Sequence, residues 1–320
     1  MSGKQFDCLC AGLIVADTVC RPVPRLPEPG SMELTEEIEL TIGGCAANVA
    51  TDLARLGHSA AITGAIGTDI YGRVVHNMMS DEGVNCDWLM ESPDMQTAAT
   101  MIVNIGNEDR RFLHVLGANM AFTGREITPD MLAQTRILSL GGYGLCEPLT
   151  VENVKALFEQ ARELNVMTLL DVVLGKPIDF QKQVAPLLPL TDFFLPNRDE
   201  ARLLSGLDDP FEQADFFRRA GANAVIVTCG EQGAVLRSTE MNVRCPVYPV
   251  NAVDNTGGGD AFVAGFIHGL LQNADWTTCL QMGSALGAMC VQSAGATTGI
   301  PSATELEAFV RTNRLELIEH

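Results

Sequence analysis

The feature that most restricts the fold of this chain is a rhythm. Short apolar runs of strand length alternate with stretches of helical periodicity along almost the whole sequence. Phe6 to Val15 (FDCLCAGLIV) reads as a strand. Asn48 to Leu56 reads as a helix closed by Gly57, with Val49, Ala50, Leu53 and Leu56 on one side. Ala60 to Gly64 is a second strand, and Asp69 caps a helix running toward Glu82. Ile137 to Leu140, Met167 to Asp171, Phe193 to Leu195 and Ala224 to Thr228 are further strands. Helices such as Val151 to Leu164 and Phe211 to Ala220 separate them. Strands joined through helices run parallel, so the pattern predicts an α/β fold of three layers: a mostly parallel central sheet with helices on both faces.

Two segments depart from the rhythm. Arg21 to Glu39 holds four prolines and leads into the alternating stretch Met32 to Ile42. Thr97 to Thr123 reads as a hairpin turning at Gly106 to Asp109. Period-two strands with polar faces suit a small separate sheet. About 16–42 and 97–123 are therefore expected to form a lid over the crevice at the carboxyl ends of the main strands, where ligands of open parallel sheets bind. No linker, repeat or low-complexity tract divides the chain, so 1–320 is expected to be one domain.

Charge and composition narrow the function. The net charge of −19 disfavours nucleic acid and anionic membrane as partners, since both are polyanions. The longest apolar runs are too short to span a bilayer. Met1 to Asp7 is polar, without a signal-peptide core, which predicts a cytoplasmic protein. The ten cysteines form no CxxC pair and lie scattered through apolar segments, as reduced core thiols do. The histidines show no metal-binding spacing.

The segment richest in chemistry is Asp254 to Gly265 (DNTGGGDAFVAG). Gly257, Gly258 and Gly259 allow a sharp turn that presents N–H groups to an anion, at the positive end of an apolar helix. Asp260 then stands where it can take a proton from an alcohol, or it simply caps that helix. A second glycine pair, Gly43 and Gly44, precedes Asn48, which either hydrogen-bonds hydroxyls or caps the next helix. Neither a Walker A loop nor GxGxxG occurs, so phosphate chemistry here would use another device.

Taken in order, these motifs resemble the ribokinase-like (PfkB) carbohydrate kinases. Gly43-Gly44-Cys-Ala-Ala-Asn48 is similar to the family's N-terminal signature, and Asp254-Asn-Thr-Gly-Gly-Gly-Asp260 to its C-terminal DTxGxGD signature. Between them, Gly64-Ala-Ile-Gly67-Thr-Asp69-Ile-Tyr-Gly72 resembles the GxxGxDxxG loop, and Gly117-Ala-Asn119 the GAN after the lid hairpin. Asn197-Arg-Asp-Glu200 resembles NxxE, and Thr228-Cys-Gly230-Glu-Gln-Gly233 the nucleotide-binding TxGxxG.

The resemblance implies a ribokinase-like fold with a small β-sheet lid, and ATP-dependent transfer of the γ-phosphate to a primary hydroxyl of a small carbohydrate. It implies Asp260 as general base and Gly257, Gly258 and Gly259 as anion hole. Asp17, Gly43, Gly44 and Asn48 would bind the acceptor. Asn197, Glu200, Thr228, Gly230 and Gly233 would bind ATP, with Glu200 reaching Mg²⁺ through water. Asp254, the Thr256 carbonyl and Gly295, within Cys290 to Gly299, would hold K⁺. Read without the family, Glu200 is a solvated residue at a helix start and Asp17 a turn former.

A homodimer paired through the lid is also implied. Two departures argue against particular acceptors. Asp171-Val-Val-Leu-Gly-Lys176 lacks the DxNxR of sugar-acid kinases, and Gly141-Gly-Tyr-Gly144 stands where ribokinases often carry a glutamate. The rival readings are a nucleoside kinase, with Met101, Phe112, Met120 and Phe122 as wall for a base, a non-catalytic ligand-binding homologue, and a kinase of phosphosugars that uses Arg110 and Arg111.

Overall fold

The computed structural model of the chain describes residues 4–106 and 111–320. Its strands are β1 (Phe6–Gly12), β2 (Val15–Val23), β3 (Ile38–Gly43), β4 (Ala60–Thr63), β5 (Ala65–Gly67), β6 (Met90–Ser92), β7 (Ala99–Ile105), β8 (Arg111–Val115), β9 (Thr135–Tyr143), β10 (Met167–Val172), β11 (Phe193–Phe194), β12 (Ala224–Thr228), β13 (Ala234–Arg237), β14 (Asn242–Cys245) and β15 (Ile318–Glu319). Its α-helices are α1 (Cys45–Arg55), α2 (Ile70–Asp81), α3 (Pro129–Ala133), α4 (Val151–Glu163), α5 (Phe180–Gln183), α6 (Arg198–Ser205), α7 (Pro210–Arg219), α8 (Gly258–Leu271), α9 (Trp276–Cys290) and α10 (Ala303–Thr312).

The main sheet has the order β15-β14-β13-β12-β11-β10-β9-β1-β4. It is parallel from β12 to β4 and antiparallel at the β13–β15 edge. Alternate residues of each strand enter opposite layers, as the pleat requires. Cys8 and Cys10 of β1 pack with α1, α8 and α9, while Leu9 and Ala11 pack with α4. The expected three-layer α/β fold is thus present. The cysteines are all free thiols, and those of Cys8 and Cys10 lie 3.7 Å apart in the core.

The structure redraws several boundaries. The expected Phe6 to Val15 strand is two strands in two sheets, because the chain leaves the main sheet at Leu13 and Ile14. Asn119 brackets that exit: its Oδ1 accepts from the Ile14 N–H at 3.2 Å, and its Nδ2 donates to the Ile14 carbonyl at 3.0 Å. The continuation, β2, was not expected as a strand at all. It runs through Pro22, which lacks an N–H, and the β2–β7 register shifts there, between Cys20 and Val23. Of the stretch Met32 to Ile42, only Ile38 onward is strand. Asp69 caps α2 as expected, accepting from the Gly72 N–H.

A second sheet has the order β3-β2-β7-β8. The β7–β8 pair is the expected hairpin, although its turn beyond Gly106 lies outside the described residues. Register gives this sheet two distinct faces. One carries the row Thr41, Asp17, Thr100 and His114, and the other carries Leu40, Thr18, Met101 and Leu113. No helix among the described residues is long and apolar enough to cross a membrane.

Candidate active site

The parallel strands β1, β10, β11 and β12 end along one edge, and the sequence-predicted residues gather there. Asp17, on β2, is buried against Gly43: a Cβ on Gly43 would sit 2.0 Å from Asp17 Oδ2. Gly44 has φ of 91°, and a Cβ there would meet the Leu13 carbonyl. The room made by this glycine pair is therefore filled by the protein's own Asp17 and Leu13. Gly44 is also the residue that caps α1, which begins at Cys45. Asn48 lies one turn inside the helix and is buried, so it is not the cap.

Asp260 sits in the first turn of α8 and makes no capping bond to that helix. Its Oδ2 instead accepts from Asn48 Nδ2 at 2.7 Å. The second oxygens of this neighbourhood are unsatisfied: Asp17 Oδ1 and Asn48 Oδ1 are both buried without a hydrogen-bond partner. Burial, followed by the nearby Asp260 charge, lifts Asp17 to about 6 against the pull of the Thr100 hydroxyl. Burial also raises Asp260, opposed by the bonds from Asn48 and Cys45. The three glycines differ in their reasons. Gly257 has φ of 76°, and a Cβ there would collide with Ala296. A Cβ on Gly259 would meet nothing within 4 Å, so the space over the first turn of α8 is an open cradle of the kind an anion needs.

Two residues of this neighbourhood, Cys45 and Asp171, were not foreseen. Cys45 and Asn48 are three apart on α1 and so share a face, which is the signal available in the sequence. The buried Cys45 thiol lies within electrostatic reach of Asp260 and of Asp171, at the end of β10, and burial followed by their charges pushes it up. Asp171 in turn accepts from the Gly142 N–H at 3.1 Å. Burial and the charges of Glu200 and Asp260 raise Asp171 well above the carboxylate range. Glu200 is lifted to about 7 by burial, while its bonds to Asn197 and to Leu174 act the other way. Asp171, Asp260 and Glu200 thus share one acidic neighbourhood, although among the described residues no three Asp, Glu, His or Cys side chains are placed to hold a metal ion directly.

Asn197 and Glu200 form a capping box at the start of α6. Asn197 bridges to Thr228, which brings two of the expected nucleotide residues together at the ends of β11 and β12. Gly233, at φ of 82°, allows the tight return in which Cys229 N–H donates to the Gly233 carbonyl at 2.7 Å, and Gly230, at φ of 53°, opens the same turn. Asp254 ties two loops: Oδ1 accepts from the Thr256 N–H and hydroxyl, and Oδ2 from the Gly295 N–H at 3.1 Å. Beside it a cavity of about 360 Å³ opens between the small sheet and this loop, lined by Val19, Arg21, Glu39, Thr41, Asn255 and Gly295 among others.

The rival acceptor readings lose most of their residues. Phe122 is in the core behind the sheet, and Met101 lies on the face away from Asp17. Phe112 does share the Asp17 face, by its pairing with Ile102. Arg111 pairs with Val103 and so lies on the far face, while Arg110 is outside the described residues.

An open parallel sheet with a glycine-lined helix start facing a carboxylate defines a phosphotransferase with an alcohol as acceptor. Comparison with known proteins gives the particular family: residues 5–303 match the pfkB family of carbohydrate kinases, and the chain belongs to it. Aminoimidazole riboside kinase of Salmonella typhimurium is 29% identical over 286 residues, covering 85% of this chain and 89% of that one. Ribokinase of Haemophilus influenzae is 27% identical over 316 residues, covering 97% of each. Arabidopsis thaliana ribokinase, solved with ribose and ATP, superposes with a TM-score of 0.83 at 22% identity, over 96% of this chain and 99% of that one. The nucleoside kinase of Methanocaldococcus jannaschii gives 0.81 at 21% identity, over 98% and 100%.

Proposed function

We propose that this kinase transfers the γ-phosphate of ATP to a primary hydroxyl of a small neutral polyol, a sugar or sugar-like molecule. One observation carries this reading. Beside Asp260, Asp17 Oδ1 and Asn48 Oδ1 are buried acceptors with no partner. Two unmet acceptors call for a ligand rich in donors, and a pair of sugar hydroxyls supplies them. Asp260 takes the proton of the attacking hydroxyl, and Asn48 holds its carboxylate toward the acceptor. The first-turn N–H groups of α8, at Gly257 to Gly259, stabilise charge on the transferring group. Asn197, Thr228, Gly230 and Gly233 hold the nucleotide. Mg²⁺, held near Glu200 through water, supplies neutralisation of the phosphate charge. Asp254, with the carbonyls of Thr256 and Gly295, would hold a potassium ion, whose positive charge would favour an anion near the α8 turn.

The small sheet acts as a lid over the acceptor, with water excluded when it closes. Its far face exposes Ile38, Met101, Leu113 and Val115, which supports a homodimer paired through the two lids. The second reading, a nucleoside acceptor, rests on the cavity beside Asp254, which leaves room for a substituent on the sugar next to Val19 and Thr41. Sugars, sugar phosphates and nucleosides, each assayed for acceptor-dependent ADP release, separate these readings. Turnover of a sugar phosphate with none of the neutral polyols would refute the proposal.

A further inference from the structure

One charged side chain reaches the neighbourhood of the anion turn from the far end of α1. Arg55 is the last residue of that helix, and Glu82 stands at the C-terminal cap of α2. Arg55 Nε and Nη2 donate side-on to the two Glu82 carboxylate oxygens, at 2.7 and 2.5 Å. A guanidinium is planar and rigid, so this double grip also fixes the direction of Nη1. Nη1 donates to the backbone carbonyl of Thr297. A salt bridge that only joined two helices would have no use for this third bond, and partly exposed pairs of that kind contribute little stability.

Thr297 belongs to the loop that backs the anion turn. The Val291 carbonyl accepts from the N–H groups of Val253 and Asp254 at 2.7 and 3.1 Å. Asp254 Oδ2 accepts from the Gly295 N–H at 3.1 Å, and the Cys290 thiol donates to the Ala296 carbonyl at 3.2 Å. Gly257 sits so tightly on Ala296 that a Cβ there would lie 2.3 Å from the Ala296 carbonyl oxygen. Packing this close transmits displacement, so the turn takes its position from residues 291–297. Arg55 holds that loop from the other side. The Thr297 carbonyl also accepts from the Ile300 N–H at 3.3 Å, and Thr297 is buried, which leaves water poorly placed to replace the guanidinium.

We propose that Arg55 is a positioning residue for phosphoryl transfer: gripped by Glu82, it fixes the Thr297 carbonyl and with it the loop on which Gly257 is seated, so that the first-turn N–H groups of α8 meet the transferring group in register. The inference rests on the reading that this turn receives the phosphoryl charge. It gives the α1–α2 pair, remote from both substrates, a part in the rate of transfer.

The placement of the loop is tested without any acceptor. In hydrogen exchange of the full chain, read by mass spectrometry, Arg55→Lys should exchange faster in peptides spanning 291–300, with β1 and β9 unchanged. Lysine keeps the charge but lacks the planar fork that makes all three bonds. Unchanged exchange at 291–300, or an equal rise in every peptide, overturns the proposal. Kinetics read the consequence, using whichever of ribose, fructose and adenosine turns over fastest. A small misplacement at the reacting centre costs up to about 10²-fold, so Arg55→Lys and Arg55→Met should lower kcat about ten- to a hundredfold. The KM values for ATP and acceptor should stay near wild type, because the turn acts on charge that develops during transfer. Glu82→Gln, which keeps one strong acceptor oxygen, should fall between wild type and Arg55→Lys. Wild-type kcat in Arg55→Lys, or a loss confined to KM, overturns the role. Gly259→Ala separates the two levels, since its Cβ enters the open space over the turn. If Gly259→Ala keeps wild-type kcat, the turn is not where the phosphoryl group is held. If it lowers kcat while Arg55→Lys does not, only the role of Arg55 fails.

Discussion

Replacing Asp260 with asparagine removes a proton acceptor and little else. Asp260 Oδ2 accepts from Asn48 Nδ2 at 2.7 Å, and the amide oxygen of the variant can accept the same bond. The shape of the α8 turn is set by Gly257, at φ of 76°, and not by any capping bond from Asp260. Losing a general base costs about 10²–10⁴ in rate, or roughly 3–5 kcal/mol of barrier. Asp260→Asn should therefore lower kcat by that factor. The KM for ATP should stay near wild type, because Asn197 and Thr228 lie on other elements. The pH profile adds a second reading. A base works when deprotonated, and burial raises the Asp260 pKa above the ordinary 3.8, so kcat/KM should fall with falling pH at a value above that. The bond from Asn48 opposes the shift, and Asn48→Leu should move the acid limb to still higher pH. ADP release coupled to NADH oxidation, measured across pH, checks both. Wild-type kcat in Asp260→Asn, or an acid limb that moves down in Asn48→Leu, would refute the assignment.

Asp17→Ala should depress kcat/KM for the acceptor by about 10²–10⁴ while the KM for ATP hardly moves, since it strips a buried partner from the hydroxyl pair; equal effects on both substrates would count against it. Gly43→Ala should act in the same direction, because its Cβ would lie 2.0 Å from Asp17 Oδ2 and must displace that carboxylate; unchanged acceptor kinetics would show that the packing is slack. Sedimentation at micromolar concentration should find a dimer of the 34.3 kDa chain, and a charge at Leu113, as in Leu113→Glu, should dissociate it. Stability should fall in acid through His268, whose Nδ1 lies 2.7 Å from His58 Nε2. Burial and then His58 lower His268 from 6.5 to about 4, so its contribution is complete above pH 6.5 and is lost as pH falls toward 4, up to ~3 kcal/mol. Urea unfolding of wild type and His268→Gln at several pH values reads this contribution as the difference between the two curves, because Asp17 and Glu200, with raised pKa values, act in the opposite sense; a difference that does not change between pH 6.5 and 4 would contradict it.

Much of the fold was legible because it is written in local periodicity. The strands at 137–140, 167–171 and 224–228 and the cap at Asp69 follow from apolar alternation and side-chain chemistry within a few residues. β2 was not legible. Its proline, Pro22, argues against a strand, and only the partner β7, some eighty residues on, shows where the register shifts to accommodate it. The wall of the acceptor site was misread for a related reason. Met101, Phe112, Arg111 and Phe122 are near one another in sequence, but pleat and register send them to different faces or into the core.

The sequence by itself determined the α/β class, the order of the family motifs and the identity of the residues that meet at the strand ends, because each motif is a short run whose glycines and carboxylates state their own backbone and chemical needs. Tertiary structure alone decided which of them touch. Asn48 meets Asp260 across 212 positions, Asp171 and Asp260 come within electrostatic reach of each other, and Asn119 brackets Ile14 so that Asp17 swings into place. Those pairings depend on how helices pack on a sheet and on which face a strand turns to its neighbour, and no local pattern in the chain encodes a contact between segments so far apart.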